Sequence, residues 1–206
     1  MKIITLPRQW IQRLYEPILD NLAVRYAMKH RLESAIHFIG QWQCDVFRQG
    51  RLISGGYPET PNTFTYEGLD YLEDIVFYST SKAASKIWYV GLFDNNVTPA
   101  VANVASTSLG AGGTYGALQA ADFDEDTYPS YNTAVAVNGV ITNAANKATF
   151  TIEAVTDTLY GAFLGDSSDP TSTAGHLMAA KKFGTARAVV ADDEIAVSYV
   201  ITIANA

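Results

Sequence analysis

Cysteine is almost missing from this sequence. Cys44 is the only one in 206 residues, so no disulfide can close within the chain and no cysteine cluster can hold a metal. A reducing place of synthesis is expected. Charge is scarce too: Asp, Glu, Lys and Arg make up 17% of the chain, where about 25% is usual. With 14 Lys and Arg against 21 Asp and Glu, the net charge is -7, which disfavours nucleic-acid binding through a strongly basic face. No window approaches the roughly 20 apolar residues of a membrane-spanning helix. Only a few apolar residues precede Pro7 and Arg8, too few for the core of a signal peptide. A soluble product, not exported by an ordinary signal and with neither nucleic acid nor membrane as partner, is the expectation. Catalytic signatures are missing as well. There is no GxSxG, no phosphate loop ending in Gly-Lys-Ser/Thr, no HExxH and no CxxC. No fixed internal period is evident, which disfavours solenoids and propellers.

What the chain does have is apolar and aromatic surface. Hydrophobic residues make up 48% and the mean hydropathy is +0.03, enough for a real core with apolar surface to spare. Twelve tyrosines stand beside three tryptophans and nine phenylalanines. Tyrosine suits interfaces because its ring packs while its hydroxyl hydrogen-bonds, although the same rings can simply fill a core. Charge is also unevenly placed. Residues 1–93 hold ten basic and nine acidic side chains, whereas residues 94–206 hold four and twelve.

Along residues 8–36, Ile11, Leu14, Tyr15, Ile18, Leu19, Leu22 and Tyr26 recur at steps of three and four, predicting a helix that starts or kinks near Pro17. Arg25, Lys29 and Arg31 fall on its later turns, either as a solvated basic face or as a contact for an acidic neighbour. From His37 the period becomes alternating, and Gly50 sits between two runs, predicting a hairpin over 41–53. A turn-rich connector follows at 55–62. A second helix is predicted at about 64–78, with Leu69, Leu72, Ile75 and Val76 on one face and a Thr or Asn as cap.

Residues 87–93, Ile-Trp-Tyr-Val-Gly-Leu-Phe, form the best core-strand candidate. A loop is expected over 94–117. Further strands are predicted at 131–137, 140–142, 148–155, 158–164, 176–183 and 194–203, the last with one buried face carrying Ile195, Val197, Tyr199, Ile201 and Ile203. The expected fold is mainly β: an antiparallel β-sandwich, Ig-like or jelly-roll-like, with an N-terminal helix and one further helix packed on it. Residues 1–40 would be a helical arm or anchor and 41–206 the sandwich domain.

Few residues suggest chemistry. His30, His37 and His176 lack the close spacing of zinc ligands on a helix. Cys44 reads as a small buried apolar residue, and Gly110 to Gly113 as a tight or flexible loop. Asp122, Asp124, Glu125 and Asp126 resemble part of a calcium loop, without the Gly and distant Glu of an EF-hand, and otherwise read as a solvated run. Asp192, Asp193 and Glu194 read as a turn that protects a strand edge. No cofactor is expected.

Five segments carry a likeness to a known group: residues 62–72 (NTFTYEGLDYL), 87–93 (IWYVGLF), 148–152 (ATFTI), 159–164 (LYGAFL) and 188–199 (AVVADDEIAVSY). In this order they resemble virion structural proteins of tailed bacteriophages, the small head-decoration, fibre-base or tail-associated kind. The resemblance implies a non-enzymatic structural subunit, assembled in the bacterial host's cytoplasm and carried in the virion. The reading built on it is a capsid decoration or cement protein, a dimer or trimer that binds the major capsid protein or other virion proteins through its N-terminal region. Trp10, Leu14, Arg25, Lys29 and Arg31 are the expected contacts. Two alternatives stay open: a tail-fibre, adaptor or tail-tip protein, or a cell-surface carbohydrate-binding module stacking Trp88 or loop tyrosines on sugar rings. Trp88 sits in an apolar run and reads first as buried.

Overall fold

The computed structural model describes residues 36–59, 61–75, 88–153 and 157–205. The chain divides into two compact units, residues 39–202 and residues 1–38 with 203–206. The helix predicted over 8–36 lies outside the described residues up to Ile36, which already belongs to a strand. Trp10, Leu14, Arg25, Lys29 and Arg31 lie outside them too.

Alternation makes the first strand, β1 (Ile36–Arg48). Trp42, Cys44 and Val46 on one face are fully buried. Gln49 and Gly50 both take positive φ, 50° and 73°, the pairing that matches a tight turn to strand twist. The chain then returns as β2 (Arg51–Ser54), antiparallel to β1, with a bulge between Val46 and Phe47. This is the hairpin the alternation predicts. Beyond the connector come β3 (Thr63–Phe64) and α1 (Tyr66–Glu73). Thr65 caps α1: its Oγ1 accepts from the Gly68 N–H and donates to the Leu177 carbonyl. Gly68 lies against the Met178 backbone, where any side chain would collide.

The remaining elements are β4 (Tyr89–Phe93), the short α2 (Ala105–Ser108), β5 (Val140–Thr142), β6 (Ala148–Thr151), β7 (Asp157–Gly165), β8 (Leu177–Val189) and β9 (Glu194–Asn205). They form two sheets. One runs β2-β1-β9-β5, with β6 also paired to β9, and the other runs β3-β8-β7-β4. β2 on β1, β5 and β6 on β9, and all three neighbours in the second sheet pair antiparallel. The mainly-β, two-sheet expectation is what the chain forms.

Several expectations change. Phe64, expected at the start of the second helix, belongs to β3, and the loop expected over 94–117 carries α2. Residues 131–137 are not a strand: only Val137 makes a bridge, to Val140, and Val135 is 89% exposed, so its alternation faces water. β8 runs on past Phe183 to Val189, because the Lys181-Lys182 and Gly184-Thr185 steps that look like breaks are half-exposed or exposed positions of one long strand. In β9 both faces are covered at 195–199, since Ala196 and Ser198 are also buried.

Side chains of both sheets enter one apolar cluster. At the β4 end of the second sheet, β4 and β7 make a reciprocal exchange. Gly91 lies opposite Phe163, and Phe93 opposite Gly161. Each phenylalanine ring occupies the space a Cβ on the facing glycine would need. From there an aromatic chain runs Phe163–Tyr128–Phe123–Phe150, with ring centroids 5.4, 6.1 and 5.3 Å apart. It reaches from β7 of the second sheet to β6 of the first. Tyr131 adds a second tie: its N–H donates to the Trp88 carbonyl at 2.8 Å and its hydroxyl to that of Tyr199 at 3.1 Å.

Gly91→Ala and Gly161→Ala should each lower unfolding free energy by about 1–3 kcal/mol, the usual cost of overpacking a filled core. Urea denaturation followed by tryptophan fluorescence measures it.

Candidate functional site

The connector after β2 is laid along β1. The Glu59 N–H donates to the Trp42 carbonyl at 2.7 Å, and Gln41 Nε2 donates to the Glu59 carbonyl at 3.3 Å. This turns the Glu59 side chain toward β8. Its Oε1 accepts from Arg187 Nη2 at 2.8 Å and its Oε2 from the Gly184 N–H at 2.8 Å. Arg187 is 6% exposed. Its Nη1 donates to the Thr185 carbonyl at 2.5 Å, and its guanidinium carbon lies 5.5 Å from the Phe183 ring centre. Two opposite charges taken out of water together offset most of each other's desolvation cost, whereas either alone would not persist there. Yet Arg187 Nε is buried without an acceptor. The pair forms the floor of an open cleft of about 310 Å³, whose walls include Tyr57, Gly55 and Thr185. Tyr57 is 80% exposed.

Sequence reasoning did not find this cleft. Glu59 lies in a stretch that reads only as turns, and the run that predicts a strand stops at Phe183, before Arg187. The available signal was the step of two between Arg187 and Val189, both buried, with one arginine beside apolar side chains.

The residues singled out earlier serve other ends. The acidic segment is stitched to β6. Asp122 accepts from the Gln119 N–H at 2.6 Å, and Glu125 accepts from the Thr151 N–H and hydroxyl at 3.1 Å each. Asp124 and Asp126 are exposed. Among the described residues, no group of three or more His, Cys, Asp and Glu is placed to hold a metal ion. His30 lies outside those residues, and so does the placement of the His37 side chain.

Asp193 corrects its reading as an edge protector. It is fully buried and takes both Nε and Nη2 of Arg48, at 2.8 and 2.7 Å. His176 is not a ligand of any described cluster. Its Nδ1 lies 2.7 Å from Asp166 Oδ2, closing the loop between β7 and β8, and its ring stacks on Tyr71 at 3.9 Å. Trp88 is half-buried, edge-on to Tyr71 at 5.7 Å. Gly110 to Gly113 make a tight turn closed by Gly113 N–H to the Gly110 carbonyl at 3.1 Å. Cys44 is fully buried, as its reading as an apolar residue expects.

No family model matches the chain, and no curated protein matches it. Any reading of its role therefore stands on its own residues and on the motif resemblance. No helix among the described residues is long and apolar enough to cross a membrane.

Two buried carboxylates set the acid response. Hydrogen bonds from Arg48 hold the Asp193 carboxyl below its ordinary value, against the opposing effect of burial. Burial pushes the Asp45 carboxyl up, but Lys147, the Gly56 N–H and Gln43 outweigh it and leave it lowered. Carboxyls depressed in the fold stabilise it fully above their unfolded value, about 3.9, and lose that contribution as pH falls through their lower folded values. Asp193→Asn should therefore lower the urea midpoint at neutral pH and flatten its fall below about pH 4. An unchanged acid profile would remove Asp193 from this account. Burial also pushes the Cys44 thiol up to about 12. Cys44 should resist a thiol reagent in the native protein at mildly alkaline pH and react once denaturant is added, read as absorbance of the released chromophore.

Proposed function

We propose that this chain is a structural subunit of a tailed-phage particle, most specifically a capsid decoration protein attached through its N-terminal region. The two antiparallel sheets are then a β-sandwich body. The nested pairs β1 with β9, β3 with β8 and β4 with β7 favour a jelly-roll-like order over an Ig-like one. The observation that carries the proposal is apolar surface left uncovered. Leu52 and Ile53 on β2, which ends its sheet, are 51% and 45% exposed, and Val135 and Val137 in the 131–137 loop are 89% and 65% exposed. An isolated protein hides such an edge, whereas a subunit covered by neighbours need not. The phage-like motifs support the same reading from the sequence side. The role proposed is non-enzymatic, and the described ion pairs join loops to strands or close a loop.

Residues Trp10, Leu14, Arg25, Lys29 and Arg31 would make the attachment to the major capsid protein. Arg25→Glu, Lys29→Glu and Arg31→Glu combined, or removal of residues 1–36, should abolish co-sedimentation with undecorated particles while circular dichroism retains its β signal. Undiminished co-sedimentation of both variants sinks the attachment. Copy number per particle separates head from tail: parity with the major capsid protein fits decoration, and a handful of copies fits a tail-fibre, adaptor or tip protein.

A further inference from the structure

The cleft over Glu59 and Arg187 has a chemistry that the structural role does not use. We propose that it binds a neutral saccharide of one or two rings, with Tyr57 as the stacking wall and Arg187, Glu59 and Thr185 as the hydrogen-bonding floor. This inference does not depend on the virion reading.

Several observations converge. The floor carries one positive and one negative charge, 2.8 Å apart and both nearly buried, so it offers no net attraction to an ion and a pair of matched groups to a neutral ligand. Arg187 presents five N–H donors; the fold uses one on Nη1 for Thr185 and one on Nη2 for Glu59, which leaves a second N–H on each of these nitrogens. The Glu59 carboxylate takes one bond on each oxygen, from Arg187 and Gly184, and each oxygen has a further lone pair free to accept. Donor beside acceptor is the pattern that two adjacent sugar hydroxyls complement, each hydroxyl being both.

The wall supplies the apolar half. Tyr57 is the most exposed aromatic side chain among the described residues, at 80%, ahead of Tyr66 at 62%. A ring held over a polar floor packs against the C–H face of a pyranose while its hydroxyl stays in water. The volume of about 310 Å³ falls at the small end of ligand sites, about 300–1,000 Å³, which limits the ligand to one or two rings. Gly55 and Gly184 line the cleft without side chains to fill it.

The test is calorimetric titration of the full chain with glucose, galactose, N-acetylglucosamine, lactose, cellobiose and chitobiose, with N-acetylneuraminic acid as the charged comparison. At least one neutral sugar should bind with a Kd of about 1 mM or tighter. Tyr57→Ala should weaken that binding at least about tenfold, as truncation of an anchoring aromatic does, and Tyr57→Trp should retain it. Both changes fall on an exposed side chain, and unchanged circular dichroism verifies that the fold is intact. Thr185→Val should weaken binding several-fold. The proposal is overturned if no neutral sugar binds tighter than about 10 mM, if Tyr57→Ala binds as the parent does, or if N-acetylneuraminic acid is preferred to every neutral sugar.

Discussion

Two glycines and two phenylalanines decide how β4 and β7 meet. With Phe163 seated where Gly91 has no side chain and Phe93 seated where Gly161 has none, each strand supplies both a ring and the space for the other's ring. This fixes the register, because a slip of one residue would set Phe163 against Leu92 or Val90 and Phe93 against Ala162 or Tyr160, with no glycine opposite either ring. It also sets where the core's aromatic chain begins. Phe163 contacts Tyr128, Phe93 contacts Tyr115, and both tyrosines lie in the long segment between β4 and β5. That segment has little regular structure of its own and is held by what its rings touch.

Polar contacts do for the surface loops what the rings do for the interior. Arg48 with Asp193, Lys147 with Asp45, Arg187 with Glu59 and His176 with Asp166 each join a loop or strand end to another part of the chain. In the first three at least one partner is nearly buried, so each is a commitment: the buried charge cannot stay without its partner. Glu67 makes the same kind of tie without a counter-charge, since its Oε2 accepts from the Ala105 and Leu177 N–H groups at 2.8 and 2.7 Å. The Glu-Gly step that marks α1 in the sequence is thus a bracket and a close approach side by side, one holding α2 and β8 and the other resting on Met178.

Strands whose residues run apolar could be read directly, as in β4, because burial was written into neighbouring residues. Where the signal was interrupted the reading failed in both directions. Lys181-Lys182 and Gly184-Thr185 hid the second half of β8, and the valines and alanines of 131–137 imitated a strand that water surrounds. Asp193 looked like a surface turn because the arginine that buries it is 145 positions away. Glu59 and Arg187 are 128 apart, and no local pattern says that they meet. The second helix was readable as an element, from its leucines and its capping threonine, while its fit to β8 rests on a glycine whose importance only the packing reveals.

The position of β9 has a consequence for how the chain acquires its structure. β9 touches β1, β5 and β6, so three strands synthesised earlier have no common partner until residues 194–205 leave the ribosome. Pairings of such sequence separation close slowly, and through that interval the edges of β1 and β5 stand open to other chains. Production should then be limited by how long nascent chains wait for β9, so that crowded synthesis favours aggregates well before the folded state's own stability is at issue.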